Sequence, residues 1–234
     1  MSQTDVNLTV SATSQEPTGL RLMLTLALAG VLSGMALAGV YELTLPIIEA
    51  NNARELRQAV LEVVPGAETM QPVTLEASGL RVADEADEQV VFAAYDDAGE
   101  LAGYAIASEG PGFQDTIRLL YGYDPTSERV TGMQILESRE TPGLGDKIYK
   151  DPDFLASFTD LSPSPEVKLA RDGREEANEV DAITGATISS AAVVKIINRA
   201  SDTWLEHLPG ADQAPPLAER PEQAAPAKQA GEVK

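Results

Sequence analysis

Residues 22–41 carry no charge and are rich in leucine, alanine and glycine. A helix of this length covers ~30 Å, the thickness of the hydrocarbon core of a bilayer. A secretory signal is the alternative, because residues 36–38 (Ala-Leu-Ala) resemble a cleavage site. The run is longer than a signal core, however, and apolar residues continue through Ile47 and Ile48. The segment therefore predicts a retained anchor that crosses the membrane once.

The flanks of this span indicate its orientation and a partner. Arg21 precedes the span and acidic residues follow it, so the positive-inside tendency favours a cytoplasmic amino terminus. The rest of the chain would then lie outside the cytoplasm. Gly30, Gly34 and Ala38 share one helix face, where small residues let another membrane helix approach. Glycine and alanine are also simply common in membrane helices, which is an equally good explanation.

The remaining pattern predicts an α+β domain. Pro46 is expected to end or bend the span, and a second helix is expected at residues 49–64. Alternating residues around turn signals predict two strand pairs, and helices should follow them. The predicted strands are 90–94, 101–107, 116–123 and 130–136, and the predicted helices are 153–158 and 187–208. Hairpins flanked by helices indicate a mostly antiparallel sheet, and the Pro/Ala/Glu-rich residues after Pro209 are typical of a disordered tail.

Composition excludes several functions. The net charge of −20 argues against a nucleic-acid partner, because a polyanion would repel the chain. The chain has no cysteine, which removes thiolate zinc sites, iron–sulfur ligation and disulfides. Its one histidine, His207, lies near the end of the last predicted helix, where it is more often a surface residue than a ligand. No serine–histidine arrangement is evident and no carboxylate spacing is diagnostic, so neither a metal site nor a hydrolytic centre is expected. Any redox chemistry must use an organic cofactor.

The segment 181–187, Asp-Ala-Ile-Thr-Gly-Ala-Thr, is the most informative motif. It ends at Thr187, where an amphipathic helix is predicted to begin. Gly185 and Ala186 leave room beside this hydroxyl, and the first amides of a helix have no intrahelical acceptor. Together with the helix dipole they form a place for a phosphate. The alternative is an ordinary helix start with Thr187 as its cap.

Two further clusters precede this segment. In residues 140–146, Glu-Thr-Pro-Gly-Leu-Gly-Asp, two glycines would let the backbone approach a flat ligand, with Leu144 free to pack on a ring. The alternative is a turn after a strand. Residues 109–113, Glu-Gly-Pro-Gly-Phe, are interpreted as a loop between strands. Phe113 is either a core residue, which is favoured, or a wall of a cofactor site.

These motifs together resemble a known family. The spelling ETPGLG at 140–145 and DAITGAT at 181–187, behind a single span, resembles the G subunit of the Rnf electron-transport complex, called Rsx in some bacteria. Gly103-Tyr104 and residues 110–113 add weaker support. The resemblance covers the chain from the span through the helix after Thr187. The family is related to the C subunit of the sodium-pumping NADH:quinone reductase. Gln114 and Arg174 depart from its usual pattern.

The resemblance implies FMN joined to Thr187 by a phosphoester bond, with no catalytic residue. A dedicated flavin transferase would form the bond and read the surrounding sequence, including Asp181. The family pattern places Thr184, Gly185 and Ala186 around the phosphate. It places the 140–145 loop near the flavin, with Glu140, Thr141, Gly143, Leu144 and Gly145.

The resemblance thus implies a membrane-anchored flavoprotein that relays electrons in an Rnf-type complex, coupling ferredoxin/NAD electron transfer to ion movement. Its partners would be membrane and iron–sulfur or flavin subunits, the flavin transferase and membrane lipid. It would lie in the bacterial inner membrane with the FMN domain in the periplasm. The expected divisions are a cytoplasmic segment at 1–19, a span at 20–48, an FMN domain at 49–208 and a tail at 209–234. The alternatives are the quinone-reductase subunit and a non-redox anchored scaffold.

Overall fold

The computed structural model describes residues 19–76, 79–83, 91–170, 173–210 and 213–217. Its first helix, α1, runs without interruption over Gly19–Val63 and contains Pro46. Pro46 is expected from the sequence to end or bend the span, and of these an end at Pro46, with a separate helix at 49–64, is therefore wrong. A proline removes one backbone donor, and the long helical segments on both sides carry the helix through it.

By length and composition, α1 is the one helix among the described residues that could cross a membrane. Its apolar side chains from Leu20 to Ile48 are exposed. A β-carbon added at Gly30 or Gly34 would meet no atom within 4 Å, so this face of the helix is open. The chain divides into two compact units, residues 1–52 and 53–234.

The second unit is built on a six-stranded antiparallel sheet with the order β2-β1-β3-β4-β5-β6. The strands are β1 Thr69–Glu76, β2 Gly79–Val82, β3 Val91–Tyr95, β4 Leu101–Pro111, β5 Thr116–Asp124 and β6 Arg129–Glu137. The four predicted strands correspond to β3–β6, apart from Val90, which lies outside the described residues. The prediction of a mostly antiparallel α+β domain is confirmed. The loop interpretation of 109–113 is wrong for its first three residues, because Gly110 pairs with Ile117 inside β4.

The two faces of this sheet bury alternate residues of each strand, as strand geometry requires. On one face Ala94, Ala105 and Leu120 pack against the end of α1, including Val60. Gly122 permits this approach, because a β-carbon there would overlap the Val63 carbonyl oxygen. On the other face the neighbouring positions of the strands pack against the last helix, α3, which spans Thr187–Trp204.

Shorter elements complete the unit: a 3₁₀ helix at Gly145–Tyr149, α2 at Pro152–Ala156, and the parallel pair β7 Lys168–Ala170 and β8 Glu179–Asp181. Beyond α3, the first part of the predicted tail contacts the sheet. The Tyr104 hydroxyl donates to the Pro209 carbonyl at 3.0 Å, and the Tyr95 hydroxyl donates to that of Pro215 at 2.5 Å. The rest of the tail, residues 218–234, lies outside the described residues.

Candidate functional site

Thr187 is the first residue of α3, not its cap. The capping position belongs to Ala186, whose side chain cannot accept a hydrogen bond. The Thr187 side chain is exposed, and its hydroxyl has no hydrogen-bond partner in the described part of the chain. The amides of Thr187, Ile188 and Ser189 likewise have no acceptor among those residues. The helix therefore presents three free N–H groups and one free hydroxyl at its positive end.

A cavity of about 350 Å³ opens beside this helix start, and we call it the Thr187 cavity. Its volume falls within the range of small-molecule sites. It is lined by Phe113, Glu140, Thr141, Leu144, Gly145, Gly185, Ala186, Thr187, Ile188 and Ser189. Three of these side chains are apolar and unusually exposed, namely Phe113 at 64%, Leu144 at 53% and Ile188 at 61%. The lining thus combines an apolar rim with the polar start of a helix.

The structure brings seven of the ten predicted site residues into this cavity and leaves three outside it. Gly143 lies in the adjoining turn, with a φ of 78°, and donates its N–H to Asp146 Oδ1 at 2.8 Å. Asp181 ends β8 and is exposed. Thr184 is exposed as well, and both residues line a different cavity.

This second cavity, the Asp181 cavity, has a volume of about 680 Å³ and a charged lining. It is lined by Lys147, Lys150, Asp151, Pro152, Asp153, Phe154, Asp181, Ala182, Ile183 and Thr184. The Lys147 ammonium donates to the Thr184 carbonyl oxygen at 3.2 Å, which ties the 3₁₀ helix to the motif. The Asp146 carboxylate, which pairs with Lys150, has a pKa below its usual value, chiefly because of that hydrogen bond.

Glu140 is the one ionisable residue of the Thr187 cavity, and it is 5% exposed. Its Oε1 accepts hydrogen bonds from the N–H groups of Phe113 at 2.8 Å and Gln114 at 3.0 Å. Its Oε2 accepts one from the Ser189 hydroxyl at 2.7 Å. Burial alone would raise the pKa of Glu140, but these bonds together lower it below the ordinary value. The residue is therefore a carboxylate, with both oxygens already satisfied by the protein.

Gly145 makes room for side chains of the protein itself, whereas the sequence predicted that it would make room for a ligand. A β-carbon on Gly145 would lie 2.5 Å from Glu140 Oε2 and 2.8 Å from Ser189 Oγ, so this glycine makes room for the carboxylate. Gly112 does the same on the other side, because a β-carbon there would overlap Glu140 Oε1. From the sequence, the glycine pair of the 140–146 cluster is expected to let a ligand approach the backbone. At Gly145 the space is filled by the protein itself.

Several residues of the site were missed from sequence. The core interpretation of Phe113 is wrong, because its ring is 64% exposed and lines the cavity. Ser189 was not singled out, and neither was Ser190, which donates to the Ala186 carbonyl at 3.0 Å and accepts from the Ile183 N–H at 3.3 Å. These serines lie three and four residues into the helix. The one signal in the sequence was this pair of serines, which comes two and three residues after Thr187.

The two departures from the family pattern have structural explanations. Gln114 Oε1 accepts a hydrogen bond from the Thr141 hydroxyl at 2.7 Å, which links the turn after β4 to the loop after β6. The Arg174 guanidinium donates to the carbonyl oxygens of Ser157, Asp160, Glu176 and Ala177 at 3.1 to 3.3 Å. Both residues hold loops in place.

The arrangement can therefore hold an anion at the start of α3 with an apolar group beside it. Neutral N–H groups and the helix dipole stabilise a phosphate without a cationic side chain. The exposed rim of the cavity provides an apolar surface for a flat ring. The free hydroxyl of Thr187 is the group available for esterification.

The chain is similar to proteins of one known family. The FMN-binding domain family matches residues 112–202, a stretch that includes every residue lining the Thr187 cavity. A curated relative from Methanosarcina acetivorans, the G subunit of an ion-translocating oxidoreductase complex, is 33% identical over 183 residues, which cover 78% of this chain and 92% of the relative. The protein of the same name from Haemophilus influenzae is 32% identical over 168 residues, covering 70% and 79%.

Solved structures confirm the fold. The crystal structure of NqrC from Shewanella oneidensis has a TM-score of 0.55 at 18% identity, and the match covers 67% of this chain and 97% of that one. The C subunit of the Na(+)-translocating NADH-quinone reductase from Parabacteroides distasonis has a TM-score of 0.53 at 21% identity, with coverage of 68% and 92%. At these identities the likeness concerns the fold alone.

Proposed function

The chain belongs to the family of G subunits of ion-translocating oxidoreductase complexes, and on that premise we propose that it relays electrons through an FMN esterified to Thr187. The observation that carries this proposal is the free, exposed Thr187 hydroxyl beside three unpaired amides in a cavity with an apolar rim. Flavin supplies one- and two-electron redox chemistry when bound. The chain supplies placement, shielding and charge balance.

The start of α3 is suited to the phosphate. A phosphodiester keeps one negative charge, and the amides of Thr187, Ile188 and Ser189 stabilise it together with the helix dipole. The backbone of Gly185 and Ala186 completes this end of the cavity. Thr184 lies outside this cavity, and its carbonyl oxygen accepts a hydrogen bond from Lys147 on the other side of the motif.

The apolar rim suits the ring system. Phe113, Leu144 and Ile188 come from three separate segments and surround the cavity entrance. A ring bound here would remove exposed apolar area of these side chains from water. Such burial stabilises the bound state by roughly 25 cal/mol per Å². A half-open site of this kind suits electron relay, because donor and acceptor centres must come close to the ring.

The pattern of ionisable groups fits a relay that needs no acid or base of its own. Among the residues lining the Thr187 cavity only Glu140 titrates, and its carboxylate is engaged by the protein. The protein acts as a redox subunit of a larger complex, and we infer that it has no catalytic activity alone. Its partners would be the other membrane and iron–sulfur or flavin subunits of that complex.

We infer the following domains and surroundings. Residues 1–19 would be cytoplasmic, 20–48 the span through the bacterial inner membrane, and 49–208 the periplasmic FMN domain. Residues 209–234 would follow as a tail that begins with contacts to the sheet. The flavin transferase would approach from the side of the exposed Asp181, which lies apart from the acceptor hydroxyl.

Two other functions remain as alternatives. The relationship to the sodium-pumping quinone reductase rests on a shared fold, whereas the relatives from Methanosarcina acetivorans and Haemophilus influenzae, at 33% and 32% identity, are G subunits. A non-redox anchored scaffold would need no cofactor. Its one advantage is the exposed apolar rim, which could equally contact a protein.

The decisive experiment is covalent flavin content. The full chain is expressed with a flavin transferase, denatured on a gel and examined for flavin fluorescence, with the attachment site mapped by mass spectrometry. Thr187→Ala should abolish the fluorescence, and Thr184→Ala should retain it because that side chain faces the other cavity. A non-fluorescent wild-type band, or a flavin mapped to Thr184, would overturn the proposal.

A further inference from the structure

Glu140 occupies an unusual place at the Thr187 cavity, because it is a buried charge in a wall that a phosphate and a flavin would share. Its carboxylate is 5% exposed, and its two oxygens accept three hydrogen bonds from this chain. A charge so enclosed has little capacity left for a ligand. It would also repel the phosphate rather than bind it.

The three hydrogen bonds join separate segments of the chain. Two come from the turn between β4 and β5, at Phe113 and Gln114, and the third comes from Ser189 in the first turn of α3. Glu140 itself begins the loop that carries Thr141 and Leu144. One side chain thus connects all three segments that line the cavity.

The position of Phe113 depends on this connection. Its ring is 64% exposed, so core packing does not place it. Its backbone N–H is held by Glu140, and the preceding Gly112 N–H donates to the Asp115 carbonyl at 2.9 Å. The aromatic wall of the cavity is therefore positioned by hydrogen bonds to the backbone.

The sequence around the carboxylate is shaped to admit it. Gly112 and Gly145 lie on opposite sides of Glu140, and a β-carbon at either position would collide with its oxygens. Two small residues from different loops make room for the same carboxylate. Burying a charge lowers the stability of a protein unless the charge is paired or hydrogen-bonded. We therefore expect this carboxylate to have a specific structural role.

We propose that Glu140 is a positioning residue, which holds Phe113 and the start of α3 in fixed relation around the Thr187 cavity without contacting the flavin. The inference rests on the proposed function for its meaning at the flavin, and it gives Glu140 an indirect role in place of the direct cofactor contact expected from the sequence. Loss of the carboxylate should leave the ester at Thr187 possible but free the aromatic wall and the attached ring to move.

The first test needs no flavin. Hydrogen–deuterium exchange is measured on the full chain carrying Thr187→Ala, with and without Glu140→Ala, in detergent. Exchange at the amides of Phe113 and Gln114 should accelerate at least about tenfold, because each loses a bond to a charged acceptor. Glu137→Ala is the matched control, because it removes an exposed carboxylate at the end of β6, three residues before Glu140, and it should leave these amides unchanged. Equal exchange with and without Glu140 would overturn the inference.

The second test uses the flavin-loaded chain and separates positioning from general stability. The variants are Glu140→Ala, Glu140→Gln and Ser189→Ala, each loaded by a flavin transferase, and the readouts are visible circular dichroism and fluorescence anisotropy decay of the flavin. Glu140→Ala should give a freely rotating flavin, whereas Glu140→Gln should restore most of the order, because an amide can accept from both N–H groups and donate to Ser189.

Ser189→Ala removes one of the three bonds and should give intermediate flavin order, even if Glu140→Ala fails to fold. An ordered flavin in Glu140→Ala, or no rescue by glutamine, would contradict the positioning role. If the wild-type chain carries no flavin, the proposed function fails, while the exchange experiment still decides whether Glu140 holds the cavity wall.

Discussion

The Asp181–Thr187 motif separates two cavities of opposite character. On one side, the Thr187 cavity has an apolar rim and a single enclosed carboxylate. On the other, the Asp181 cavity is lined by two lysines and three aspartates. The two threonines of the motif face different sides, although only three positions separate them.

The difference shows how one short motif can serve two recognition tasks. A flat aromatic cofactor gains by covering apolar surface, whereas a protein partner that reads a motif can use exposed charge. Gly185 lies at the crossing point with a φ of 84°, which turns the chain from one side to the other. The comparison can be tested by changing each side separately.

The largest effect is expected on the Thr187 side, at Gly145. Gly145→Ala forces a β-carbon against Glu140 and Ser189 and should destabilise the protein by about 1–3 kcal/mol. Thermal unfolding of the full chain in detergent, followed through the buried Trp204, would measure it. For a domain of this size the midpoint should fall by roughly 2–4 °C for each kcal/mol.

Gly143→Ala is the matched control for this substitution, because it lies two residues away with no atom within 4 Å of its added β-carbon. Its φ of 78° still carries a conformational cost of about 1 kcal/mol. If the two variants unfold at the same temperature, the close packing of Gly145 against Glu140 is not what requires the glycine.

A smaller effect is expected at Gly185, where the two sides meet. A β-carbon there would have ordinary contact with Lys147 Nζ at 3.7 Å, so only the positive φ opposes Gly185→Ala. The cost should be about 1 kcal/mol, by the same thermal measurement. Gly185→Asn should cost less, because asparagine tolerates left-handed backbone better. An asparagine variant less stable than the alanine variant would contradict the assignment of the cost to the backbone.

Much of this molecule could be predicted from local pattern. The alternation of β3–β6 and the amphipathic spacing of α3 reflect burial within single segments, so the sequence carries them directly. β1 was missed, because Pro72 interrupts it. β7 and β8 have three residues each, too few for a periodic signal, and their pairing is parallel and non-local.

The motifs of the site could be predicted from the sequence, but the hydrogen bonds and close contacts that join them could not. The sequence places Thr187 at a helix start, but it cannot show that Glu140 reaches Ser189, 49 residues away, or that Gly145 yields space to that carboxylate. Such contacts depend on which strands are neighbours. The exposure of Phe113 was missed for a related reason, since an aromatic residue after a strand is more often buried.

On the charged side, Lys147 contacts the motif directly through its ammonium group. Lys147→Met keeps the unbranched stem of the side chain but lacks the terminal ammonium, so it removes the hydrogen bond to the Thr184 carbonyl, and we expect a loss of about 0.5–1 kcal/mol. Flavin attachment at Thr187 should persist. Loss of the flavin in a folded Lys147→Met variant would show that the charged side takes part in the cofactor site, and the separation of the two cavities would then fail.

The smallest effect is in the dependence of stability on pH. The pKa values of Glu140 on one side and Asp146 on the other are both lowered in the folded protein, so both carboxylates stabilise it above their unfolded pKa values of about 4. That stabilisation is lost as the pH falls through the lower, folded values. The unfolding temperature should therefore be flat with respect to these groups from pH 5 to 7 and decline below about pH 4.

Glu140→Gln tests which side contributes to this decline. The amide keeps the hydrogen-bonded geometry and cannot titrate, so the variant should lose less stability between pH 5 and 3 than the wild-type protein does. The decline should not vanish, because Asp146, Asp124 and Glu179 also have lowered pKa values. An identical acid profile in the variant would mean that Glu140 has the same pKa folded and unfolded. Its three hydrogen bonds would then do no more than offset the cost of burying the charge, and of these two buried carboxylates only Asp146 would contribute to the acid decline.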